Sequence, residues 1–388
     1  MIRSILPQWR LNGKRVFLRA DLNVPIKNGT IDDDFRLVSI LPTLDYIIKQ
    51  NGSVVLATHI GEPHEHETDL STQILLPWFK QRGYSLLFES DSTKIAHLPV
   101  VPHQIILLEN LRFFPGEKTG DPLFAKQLAT TAQYYVNDAF GTMHRTDCSI
   151  VLLPYEFPEN KRSIGFLVEK ELHMLEQLQH PPKPFIALLG GSKIADKIPL
   201  IQHLLDTTDA LLICPALCFS FLAAQHKNIG SSLTDPTVYD TCKKIMHKAM
   251  DRHIPLIFPL DYQIADTTQD GPLSIVDAQN FPHNGFGISI GPKTIAVFNK
   301  YIQKAQTIFF NGAMGFTERP ETLTSTYEIL SSMAHAHGTT YVAGGDSVKA
   351  VFAAQLHTKI DHLSTGGGAA LAYISGKLLP GLAPFEEE

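Results

Sequence analysis

One pattern limits what this chain can fold into more than any other. Short apolar runs stop at glycine or a polar residue, and each is followed by an amphipathic stretch. The runs are Val16–Asp21, Val54–His59, Ile105–Asn110, Tyr134–Asp138, Phe185–Gly191, Ala210–Cys214, Ile254–Pro259, Thr307–Gly312 and Thr340–Asp346. Continuous apolar runs of this length read as strands buried on both faces. Their alternation with helices implies βαβ units and parallel sheets. Helix starts are marked at Asp121-Pro122 and Asp235-Pro236, where an acid precedes proline at the first helical position. Gly291-Pro292 opens the periodic run Thr294–Ala305, and Ile198-Pro199 precedes Leu200–Leu205. We expect an α/β chain.

A length of 388 residues predicts two domains at roughly 100–200 residues each. The boundary falls near Gly165–Pro184, where a stretch of helical periodicity is ended by prolines at 181, 182 and 184. This places a first domain over 1–160, a connecting helix over 161–183 and a second domain over 184–370. The net charge of −6 argues against nucleic acid as a partner. The four cysteines, Cys148, Cys214, Cys218 and Cys242, show no zinc spacing and fit a reducing compartment. Met1–Pro7 carries no apolar signal-peptide region, and no run approaches the length of a membrane span. A cytoplasmic protein is expected.

Polar residues cluster where the apolar runs end, the edge at which open parallel sheets bind ligands. The first half offers Arg19, Asp21, Asn23, His59, Arg112, Asn137 and Asp138, with Arg36 and Arg145 nearby. Arginines converging there suit a carboxylate or phosphate, although each alone is also an ordinary surface charge. Arg19 and Arg112, set within or just after apolar runs, are the stronger candidates. The second half offers Gly190–Lys193, Asn311-Gly312, Gly344–Ser347 and Gly366–Gly368. Glycines opening helices admit phosphate oxygens to free N–H groups; tight packing turns are the alternative. Lys193 and Lys197 are one helical turn apart if that segment is helical. With Pro199 at the first position of the following helix, Lys197 stands just ahead of an N-terminus. There a lysine holds phosphate, and an exposed pair is equally compatible. The Gly-Lys pairs at 13–14 and 376–377 are not followed by Ser or Thr, so no Walker A loop is present. His59 with His64 and His66 reads as a polar loop rather than a metal cluster.

Taken together, these motifs resemble the phosphoglycerate kinase family nearly end to end. The matching segments are Arg19–Pro25, Asp33–Arg36, Thr58–Gly61, Glu109–Phe113, Pro115–Glu117, Val136–Arg145, Leu189–Lys197, Ile290–Thr294, Asn311–Gly315, Gly344–Asp346 and Ser364–Ala369. The resemblance implies two Rossmann-like domains with parallel sheets facing across a cleft, and a tail, 371–388, packing back on the first. It implies a monomeric enzyme of glycolysis and gluconeogenesis. The reaction would be reversible phosphoryl transfer between 1,3-bisphosphoglycerate with ADP and 3-phosphoglycerate with ATP, with Mg2+ as cofactor and without nucleic-acid or membrane partners. Asp21, Asn23, Arg36, His59, Arg112 and Arg145 match the acidic-substrate site. Arg36, Lys193, Lys197, Gly345 and Gly367 match the catalytic set. Gly191, Lys197, Gly287, Asn311, Glu318, Gly344, Gly345, Asp346 and Ser347 match the nucleotide site, with Asp346 the metal-linked acid. Since the acceptor is an ionised carboxylate, catalysis reduces to positioning and charge neutralisation, with hinge closure near Gly165.

Three departures stand out. The family usually has arginine before the proline after His59, and this chain has Glu62-Pro63. An anion replaces a phosphate-facing cation, a change of about 1.5–3 kcal/mol or tenfold or more in affinity. Either a neighbour compensates or Glu62 turns outward. Cys214-Pro215-Ala216 stands where a glycine run commonly lines the base pocket, and Ala343 and Ser347 replace a glycine and a threonine. A non-catalytic binding protein that kept the fold is the alternative these departures leave open, with a different small-molecule kinase behind it.

Overall fold

The computed structural model describes residues 2–64, 67–316 and 318–386. They divide into two compact units. The first comprises Met1–Leu175, Gly368–Tyr373 and Lys377–Glu388, and the second Glu176–Gly367 with Ile374–Gly376.

In the first unit the strands are β1 (Arg15–Ala20), β2 (Ile26–Lys27), β3 (Thr30–Ile31), β4 (Ser53–Ala57), β5 (Leu86–Glu89), β6 (Ile105–Leu108), β7 (Tyr134–Asp138) and β8 (Arg162–Ile164). Six of them form one sheet in the order β5-β6-β4-β1-β7-β8, and every pair is parallel. Successive side chains of a strand point to opposite faces, and here both faces are dry. Val16, Leu18, Val54, Leu56, Ile105 and Leu107 enter one buried cluster, with Leu44, Ile47, Trp78 and Phe79 from covering helices. Phe17, Val55, Ile106, Leu108 and Tyr135 enter another, with Ile95, Phe124, Ala125 and Leu128. Double-sided burial is why these strands read as continuous apolar runs.

In the second unit, β9 (Phe185–Gly191), β10 (Ala210–Ala216), β11 (Leu256–Ile257), β15 (Thr307–Asn311), β16 (Thr339–Ala343) and β17 (His362–Leu363) form a parallel sheet in the order β11-β10-β9-β15-β16-β17. Between β11 and β15 the chain makes an antiparallel sheet of β12 (Asp261–Asp266), β13 (Leu273–Asp277) and β14 (Gly285–Ile290), in the order β13-β12-β14. In both parallel sheets the strand order reverses beside an inner strand: β1, between β4 and β7, and β9, between β10 and β15. Such reversals open the crevice in which α/β sheets hold ligands.

Helix Pro122–Ala129 starts as expected, with the Asp121 carboxylate accepting the Leu123 N–H. At Asp235 the chain first makes a 3-10 turn, Pro236–Val238, before helix Tyr239–Asp251. Pro292 opens helix Pro292–Ile302. Pro199 does not start a helix. One helix runs Ile194–Thr207 with Pro199 inside it. The expected placement of Lys197 ahead of an N-terminus is therefore corrected: Lys193 is the N-cap and Lys197 lies within the helix. Among the described residues, no helix is long and apolar enough to cross a membrane.

Candidate active site

At the carboxyl edge of the first sheet, Asp21 and Asn23 follow β1, His59 follows β4 and Arg112 follows β6. Asp21 Oδ2 accepts from Arg36 Nη1 at 2.8 Å, and the same nitrogen reaches the Asn23 carbonyl at 3.2 Å. The Asn23 side chain accepts the Gly61 N–H at 2.9 Å, tying the β1 and β4 loops together. His59 is buried. Burial first, then the charges of Arg19, Arg112, Arg145 and Arg36, hold its pKa well below the ordinary value, so the imidazole is neutral. The Arg19 guanidinium lies against the ring, with Nη2 3.4 Å from His59 Nδ1.

Arg19 is a different case from its neighbours. Its guanidinium is fully buried, donating from Nε to Ser149 at 2.8 Å and from Nη1 to the Ala20 carbonyl, with Glu117 4.0 Å from Nη2. A buried cation needs such partners, and they leave Arg19 shaping the site from beneath. Arg112 is also buried, yet its Nε and Nη2 have no hydrogen-bond partner. Burial and Arg145 lower its pKa, with Glu62 and Asp147 opposing.

Glu62 does not turn away. Its carboxylate lies 2.7 Å from Arg112 Nη1, 3.3 Å from Arg145 Nη1 and 2.6 Å from Lys118 Nζ. Burial alone would raise its pKa; the Lys118 hydrogen bond and the charges of Arg112, Lys118 and Arg145 outweigh that and hold it below the ordinary value. Lys118 is the residue that sequence reasoning passed over. Its signal was a cation immediately after the Pro115–Glu117 segment.

At the edge of the second sheet the Lys197 side chain is buried, with Nζ donating to the Gly190 carbonyl and, at 3.2 Å, to the Asn311 carbonyl. Burial pushes its pKa down to about 8, so its charge is held at a cost that an anion would relieve. Lys193 is exposed. Asn311 Nδ2 donates to the Ala343 carbonyl at 2.7 Å, while its Oδ1 is buried without a partner. Gly312 donates to Ser347 Oγ at 2.7 Å. Gly344 has φ +96° and caps helix Gly345–Ala353, a conformation that selects glycine. A side chain at Gly345 would meet no atom within 4 Å, so packing does not explain glycine there, whereas close approach of a ligand to the helix N-terminus would. Gly367 also has open space, but its φ of +47° by itself selects glycine, and Gly191 borders Lys197 Nζ.

Asp346 is an exposed carboxylate in the first turn of that helix. Among the described residues no group of three or more His, Cys, Asp or Glu could hold a metal, and His66 lies outside them. One carboxylate fits Mg2+, which takes one or two protein ligands together with substrate phosphates. Glu318 is exposed on the loop after β15. Gly287 is buried in β14, where its N–H donates to Ser232 and the Phe219 ring fills the space a side chain would need. Cys214 is wholly buried beside Gly190, so its side chain belongs to the core.

The phosphoglycerate kinase family model matches residues 6–377. The chain is 36% identical over 398 residues to phosphoglycerate kinase of Finegoldia magna, covering 100% of both. It is 38% identical over 391 residues to that of Dictyoglomus turgidum, covering 97% of both. The structure of phosphoglycerate kinase from Coxiella burnetii superposes with a TM-score of 0.87 at 31% identity, covering 99% of both chains. By sequence over its whole length and by fold, this chain belongs to the phosphoglycerate kinase family.

Proposed function

We propose that the chain catalyses reversible phosphoryl transfer between 1,3-bisphosphoglycerate with ADP and 3-phosphoglycerate with ATP, in glycolysis and gluconeogenesis. The observation that carries the reading is the gathering of Arg36, Arg112 and Arg145 with Asp21 and Glu62 at the carboxyl edge of the first sheet, in a chain that matches this family from end to end.

In this reading the first unit binds the acidic metabolite. Arg36, positioned by Asp21, faces its carboxylate, while Asn23, His59, Arg112 and Arg145 hold the remainder. The second unit binds the nucleotide. The main chain at Gly344, Gly345 and Gly367 receives its phosphates, Gly191, Asn311 and Ser347 frame that edge, and Glu318 takes the ribose. The segment over 161–183 serves as hinge, and the tail, apart from Ile374–Gly376, belongs with the first unit. A monomer in the cytoplasm completes the proposal.

The acceptor is an ionised carboxylate, so no general base is required. Its oxygen forms the new bond to the γ-phosphorus as the bond to the ADP oxygen breaks, and the electron pair leaves on ADP. Lys193 and Lys197 neutralise the equatorial oxygens with Arg36. Bound Mg2+, held by Asp346, would supply further charge neutralisation at the phosphates.

The test is a coupled assay with 3-phosphoglycerate, MgATP and glyceraldehyde-3-phosphate dehydrogenase, following loss of NADH. Turnover supports the reading. A folded sample without turnover, with MgGTP also tried, moves the non-catalytic alternative to the front.

A further inference from the structure

The charges around Glu62 carry an inference that rests on the proposed function. Arg112, Arg145 and Lys118 converge on one carboxylate. The Arg112 side chain is 1% exposed and Glu62 is 55% exposed. The cation is therefore fixed by the protein, and the anion resting on it has access to water. The Arg112 guanidinium is held from behind as well, with Nη1 donating to the Gly61 carbonyl and Nη2 3.9 Å from Asp147, so it stays in place when the Glu62 carboxylate leaves.

We propose that Glu62 is a built-in competitor for the phosphate of 3-phosphoglycerate, and that Lys118 is a ligand of that phosphate. Substrate binds by displacing the Glu62 carboxylate into solvent. A phosphate monoester, carrying up to two negative charges, then takes over Arg112, Arg145 and Lys118. The exchange lowers apparent affinity by the fraction of time the site is self-occupied. It also explains how this chain keeps three cations at the site despite the anion at position 62: Lys118 supplies the third.

The test titrates full-length protein with 3-phosphoglycerate and, separately, with inorganic phosphate by calorimetry. The variants are Glu62→Gln, Lys118→Met and the double variant, with thermal midpoints recorded to confirm folding. Glu62→Gln is expected to tighten both ligands about tenfold. Lys118→Met is expected to weaken both, and to do so more strongly in the Glu62→Gln background, because only there is no internal pair lost in the free protein. Unchanged or weaker binding by Glu62→Gln overturns the competitor. A Lys118→Met change without effect in that background shows that Lys118 serves Glu62 alone. Tighter inorganic phosphate binding with no 3-phosphoglycerate binding in any variant upholds the anion site and overturns the proposed function. No binding of either ligand to any variant overturns both.

Discussion

At the edge of the first unit's sheet, charge is carried by side chains. Arg36, Arg112, Arg145 and Lys118 each face a carboxylate of the chain itself, Asp21 or Glu62. At the edge of the second unit's sheet, most of the polarity is main chain: Gly190, Asn311, Gly312 and Ala343 contribute backbone groups, and one buried lysine adds a charge. The two edges, alike in strand reversal, thus differ in kind: paired side-chain charges at the first, and at the second backbone carbonyls that hold Lys197 and Asn311, with the Gly312 N–H on Ser347. At the first edge Lys118 joins Arg112 and Arg145 on the Glu62 carboxylate. A backbone site depends on dihedrals and close packing, so single atoms matter more there.

The sharpest break between the two regions is expected at Lys197. Lys197→Ala should reduce kcat by about 10²–10³, comparable to removing one transition-state donor, with a much smaller change in KM for ATP. Loss confined to KM would assign it uniform binding instead. In the unmodified enzyme, kcat/KM for ATP should fall as pH rises through about 8, the pH at which Lys197 loses its proton.

Next in size is a pair of glycines. Gly312 has φ +98°, and a side chain there would strike the Gly190 carbonyl and Lys197 Nζ. Gly312→Ala should lower stability by about 1–3 kcal/mol, read as a lower thermal midpoint. Gly345→Ala, with open space around it, should keep its midpoint and weaken MgADP binding. Equal midpoints in both variants would show that packing does not distinguish the two glycines.

A pH-dependent effect concerns a buried acid of the first region. Asp138 Oδ1 accepts the N–H groups of Leu167 and Val168 at 2.9 and 3.2 Å, and burial raises the carboxyl from 3.8 to about 7. Its folded pKa lies above its unfolded value. The stability from the neutral acid is therefore complete below about 3.8 and lost as pH rises through about 7. Asp138→Asn should flatten the pH dependence of the midpoint across that window, and an unchanged slope would assign it to other groups.

The inner strands were legible because burial on both faces writes continuous apolar runs. Among the edge strands, Leu256–Ile257 lay inside an apolar run, whereas Leu86–Glu89 is only three apolar residues and a glutamate, and His362–Leu363 is two residues long. The antiparallel β12–β14 sheet was missed because its strands carry glycine and aspartate among the apolar residues. Pro199 misled because proline favours a helix start, while here it sits inside a helix that begins at Ile194. The sequence marked Arg19 as more than surface charge, but its commitment to Ser149 and Glu117, residues far along the chain, is visible only in the fold. The same holds for the Glu62–Lys118 pair, separated by 56 positions.

The most direct test of the division of labour between the two edges is calorimetric titration of Arg36→Ala with 3-phosphoglycerate and with MgADP. Loss of a charge-assisted contact predicts about tenfold or greater weakening of 3-phosphoglycerate, with MgADP binding unchanged. Normal 3-phosphoglycerate binding, or loss of MgADP alone from a folded protein, would contradict the assignment of the acidic metabolite to the first unit.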